Sequence, residues 1–77
     1  MREIKVLGPG CHKCTELAEV IIKVADQLGI EYNFEKIQDI NAIMSYGVMF
    51  TPALIIDGKI KVTGKVPSFE ELKELLQ

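Results

Sequence analysis

The chain has 77 residues, 48% of them hydrophobic, with nine basic and eleven acidic side chains and a net charge of −2. That length leaves room for one domain, residues 1–77, with a thin core, since a chain this short buries only about 60% of its unfolded surface. The weak charge, with no run of one sign, excludes the basic patch that nucleic acid or an anionic membrane requires.

Glu3 to Leu7 carries Ile4, Val6 and Leu7 and stops at Gly8-Pro9-Gly10, which reads as a strand ended by a turn. From His12 the period becomes helical, with Leu17, Val20, Ile21, Val24 and Leu28 on one face and Gly29 as the stop. Ile30, Tyr32 and Phe34 alternate with Glu31, Asn33 and Glu35, the pattern of a half-buried strand. Asp39 is placed to cap a short helix bearing Ile40, Ile43 and Met44, closed by Gly47. Ala53 to Ile56 is an apolar strand that meets Asp57-Gly58, a strong hairpin signal. Ile60 and Val62 then alternate with Lys59 and Lys61. Ser68 and Glu71 form a capping box for a last helix with Phe69, Leu72, Leu75 and Leu76 on its apolar face.

This order, β-α-β-α-β-β-α, predicts an α/β fold. The first β-α-β unit is expected to be parallel with a right-handed crossover, and the hairpin antiparallel. A four-stranded mixed sheet with helices on both faces follows. The glutamates of the second strand and the lysines of the fourth suit sheet edges, where charge discourages pairing with other chains. The amino terminus has no long apolar stretch and no small-residue cleavage site. The expected protein has no signal peptide and no membrane insertion, and lies in the cytoplasm.

Cys11-His12-Lys13-Cys14 holds the chain's two cysteines, at the start of the first helix. A helix N-terminus carries partial positive charge and unpaired N–H groups, which stabilise a thiolate. Comparable sites lower a thiol pKa from ~8.5 into a range of about 3.5–7.5. Disulfide exchange requires one thiolate that attacks and a second thiol that resolves the mixed disulfide. Cys11, nearer the helix end and solvent, is the expected nucleophile; Cys14, one turn further in, is the expected resolving thiol. A purely structural bridge here would close a very small loop and constrain little unfolded chain. His12 and Lys13 either raise the positive potential near Cys11 or are simply solvated. With Cys11 and Cys14, His12 makes at most three metal ligands, whereas a structural zinc site takes four. No metal site is expected.

The element order resembles the thioredoxin superfamily in its smallest form. So do Gly10-Cys11-His12-Lys13-Cys14, the segment Tyr46-Gly47-Val48-Met49-Phe50-Thr51-Pro52, and Ile56-Asp57-Gly58-Lys59 followed by Gly64. Within that superfamily the chain is most similar to the small archaeal and bacterial glutaredoxin-like thioredoxins, also called redox-active disulfide proteins. The resemblance implies a monomeric protein-disulfide reductase that uses a redox-active Cys11–Cys14 disulfide and no other cofactor. Protein disulfides and an upstream reductase would be its partners. It also implies that Pro52 is a cis-proline lying against the cysteines, with Thr51 offering backbone hydrogen bonds to substrate and Gly64 near the site. From the residues alone, a trans proline that merely starts a strand is the better reading of Pro52, and the resemblance reverses it.

The chain also departs from its larger relatives. It has no Trp before Cys11 and no Gly-Pro or Pro-Tyr between the cysteines. Lys5 stands where thioredoxins carry a buried acid. Phe50 and Lys65 occupy positions where glutaredoxins hold glutathione, so glutathione is not the expected reductant. Two other readings use the same cysteines. One is a soft-metal (Cu/Zn) carrier, although heavy-metal-associated domains usually place Met where this chain has Pro9 and end in a strand. The other is a thiol redox sensor.

Overall fold

A computed structural model describes residues 1–10 and 12–77. The elements are β1 (Arg2–Leu7), α1 (His12–Leu28), β2 (Tyr32–Ile37), α2 (Ile40–Ser45), β3 (Ala53–Ile56), β4 (Lys59–Thr63) and α3 (Phe69–Leu76). The strands form one mixed sheet in the order β2-β1-β3-β4. β1 runs parallel to β2 and antiparallel to β3, and β3 is antiparallel to β4. The charged strands β2 and β4 are the two edges.

Alternation along β1 divides the core between the two faces of the sheet. Ile4 and Val6 face one side, with Leu54 and Ile56 of β3, Leu17, Ile21 and Val24 of α1, and Leu72 and Leu76 of α3. Leu7 faces the other side, with Ala53, Ile55, Ile43 of α2 and Val48. The first layer is the larger, because α1 and α3 both lie on it. Capping fixes the helix starts as expected: the Asp39 side chain accepts from the Ala42 N–H, and Ser68 and Glu71 close a full capping box.

Three expectations are corrected. β2 begins at Tyr32 rather than Ile30, because its register is set by pairing with β1, Arg2 opposite Tyr32 through Leu7 opposite Ile37. Ile30 instead donates its N–H to the Ala25 carbonyl and packs against the core from the connection. Ile60 and Val62 do not share a face. The β3–β4 register shifts between Leu54 and Ile55, so Ile60 sits opposite Ile55 and Val62 opposite Leu54. Val62 is buried, while Ile60 stays 46% exposed. On α2 only Ile43 is buried, and Ile40 and Met44 face outward. A helix this short, lying on one end of the sheet, has a single turn's worth of contact to offer.

Candidate active site

The Gly8 backbone is held at the end of β1 by its N–H, which donates to the Ile37 carbonyl over 2.9 Å. Pro9 and Gly10 turn the chain outward, and α1 starts at His12. His12 and Lys13 are exposed on its first turn, whereas Cys14 is 0% exposed. The first turn of α1 carries no acidic residue, so no carboxylate offsets the positive end of the helix. Cys11, the expected nucleophile, lies outside the described residues.

The segment after α2 comes to the same place. The Thr51–Pro52 bond is cis, the isomer that the family resemblance implies. Pro52 is fully buried, and Thr51 is exposed. Gly64 donates its N–H to the Pro52 carbonyl over 2.8 Å, which links the end of β4 to this loop. The position a Cβ would take on Gly64 is 3.3 Å from the Phe50 Cβ. A Cβ built on Gly8 would stand 3.1 Å from the Cys14 Cβ and 3.9 Å from the Thr51 Cβ. The end of β1, the start of α1 and the Thr51–Pro52 loop therefore converge on the Cys14 side chain.

A family model described as "Thioredoxin domain" matches residues 2–77. The chain belongs to the thioredoxin family. It is 37% identical over 76 residues to a protein named Thioredoxin from Methanothermobacter thermautotrophicus, covering 99% of each chain. It is 39% identical over 74 residues to a Thioredoxin from Methanocaldococcus jannaschii, covering 96% of this chain and 85% of that one. The chain has the four-stranded mixed sheet with flanking helices of a minimal thioredoxin-like fold.

At this thioredoxin-family site the loop before Pro52 also exposes two apolar side chains. Met49 is 87% exposed and Phe50 66%. Tyr46, at the start of the same segment, is also at the surface. Lys5, at the position of the buried acid in larger thioredoxins, directs its ammonium to the Tyr46 hydroxyl at 3.1 Å. Sequence reasoning treated Gly8 as part of a turn and missed its contact with Cys14. A usable signal was its place directly after the central strand and just ahead of the cysteines. Among the described residues, no three His, Cys, Asp or Glu side chains come together to hold a metal ion. No helix among the described residues is long and apolar enough to cross a membrane.

Proposed function

We propose that this protein is a thiol–disulfide oxidoreductase that reduces protein disulfides through Cys11 and Cys14. The Cys11 thiolate attacks a substrate disulfide, forming a mixed disulfide and releasing one substrate thiolate, which takes up a proton. Cys14 then gives up its proton and attacks the Cys11 sulfur. The second substrate thiolate leaves with the electron pair, and the Cys11–Cys14 disulfide remains. An upstream dithiol reductase returns both electrons. A reducing cytoplasm is the compartment in which this cycle runs.

The observation that carries this reading is that Gly8 and Thr51 close around the Cys14 side chain. A second sulfur withdrawn from solvent in this way is closed to outside disulfides and suited to resolving an adduct next to it. Thr51, exposed beside it, is placed to meet an extended substrate backbone, and Met49 and Phe50 offer apolar contact on the same rim. His12 and Lys13, with no acid in their turn, favour an anionic sulfur at the helix start. Membership of the thioredoxin family supports the broad activity.

A Cys14→Ser variant tests the assignment. It is expected to accumulate a stable mixed disulfide through Cys11 with a protein substrate. Trapping through Cys14 in a Cys11→Ser variant, and none in Cys14→Ser, would reverse the two roles. Metal content and disulfide reduction are measured together on the unsubstituted protein, in competition with excess glutathione. One retained metal ion per chain with no dithiol activity would establish the carrier reading instead.

A further inference from the structure

Gly8 is buried, and the bond from its N–H to Ile37 holds it in the β1–β2 ladder. A methyl group at this position would fall on the Cys14 sulfur, well inside contact distance. Ordinary contacts between heavy atoms lie near 3.5–4.0 Å, so one of the two residues would have to move. Gly8 is tied to β2, and Cys14 is fully buried on α1 with Thr51 on the far side of the gap.

We propose that Gly8 is a positioning residue for the resolving step, the space left by its missing side chain being the seat of the Cys14 sulfur beside Thr51. This rests on the reading of Cys11 and Cys14 as a reacting pair. In that step the Cys14 sulfur, its proton lost to water, forms a bond to the Cys11 sulfur. The bond from Cys11 to the substrate sulfur breaks, and the electron pair leaves with that sulfur. Displacement at sulfur needs the incoming atom on the axis of the breaking bond. A misplacement of about 1 Å can slow such a step by 10²-fold. Attack by Cys11 on the incoming disulfide does not use the Cys14 sulfur, so it is not sensitive to the residue at Gly8.

The test uses reduced protein and the probe 5,5′-dithiobis(2-nitrobenzoate), followed by release of the coloured thiolate in a stopped-flow mixer. The first release reports adduct formation on Cys11 and depends on probe concentration. The second reports resolution by Cys14 and does not. Gly8→Ala is expected to slow the second phase about tenfold or more and leave the first within about twofold. Two unchanged phases, or equal slowing of both, would overturn the proposal. Absence of the second phase in the unsubstituted protein would overturn the dithiol reading and this inference with it.

Should Gly8→Ala not fold, the cause is read from the double variant. Cys14→Ala removes the sulfur and vacates the space, so Gly8→Ala is expected to fold in that background. A double variant that also fails to fold would overturn the proposal.

Discussion

The Lys5 ammonium donates to the Tyr46 hydroxyl across 3.1 Å, joining the central strand to the C-cap of α2. That hydrogen bond, more than any neighbouring carboxylate, holds the Lys5 pKa above its ordinary 10.5. A folded-state pKa raised above the unfolded one contributes stability that is complete below about 10.5 and is lost as pH rises through the folded value. Tyr46→Phe is therefore expected to lower the urea midpoint at pH 7, with the gap from the unsubstituted protein closing above pH 10.5. A gap constant with pH would show that the hydroxyl acts by a route other than its bond to the Lys5 ammonium.

Asp57 carries the opposite dependence. Its carboxylate accepts from the Glu3 N–H at 3.0 Å and pairs with Arg2 at 2.8 Å. Those partners, the backbone N–H first, hold its pKa below the usual 3.8. A depressed carboxylate pKa contributes stability above the unfolded value and loses it as pH falls through the folded one. Asp57→Asn tolerates the left-handed backbone at φ 52° and keeps a carbonyl acceptor. It is expected to be less stable than the unsubstituted protein at pH 7, and equal to it in acid below the folded pKa.

Ser68→Ala removes the N-cap of α3, the helix that brings Leu72 and Leu76 into the core. Loss of such a cap costs about 1 kcal/mol, which for a domain of this size lowers Tm by roughly 4–8 °C. Calorimetry checks it, and an unchanged Tm would mean that α3 is held by packing alone.

Reduction of the oxidised protein by glutathione is expected to be slower than by a thioredoxin-reductase-type enzyme. Phe50 projects into solvent beside Gly64, and Lys65 is engaged with Glu71 at 3.3 Å. Parallel assays with each reductant on the same preparation decide it, and faster glutathione turnover would refute the expectation.

Features set by neighbours in sequence were legible before the structure. The Asp57-Gly58 turn has positive φ at both residues, which the twist of a tight hairpin demands. The Ser68–Glu71 box, the Asp39 cap and the run of helical spacing from His12 to Leu28 are equally local. Features set by partners far along the chain were not. The two-residue shift of β2 follows from β1, and the register shift that separates Ile60 from Val62 follows from β3. Gly8 belongs to the second kind, because its meaning lies in Cys14 on a helix and Thr51 on a distant loop. Thr51, Pro52 and Gly64 were found through the resemblance rather than through any local rule.

Arg2 reaches both the Asp57 carboxylate and the Gln77 carbonyl, so the first residue of β1 and the residue that caps α3 lie together. Gly8 is at the other end of that strand, about 20 Å away at ~3.3 Å per residue. A dye, an affinity handle or a resin bead attached beside Arg2 or Gln77 hangs from the pole opposite Cys14. Immobilised there, the protein presents its thiol end to whatever flows past.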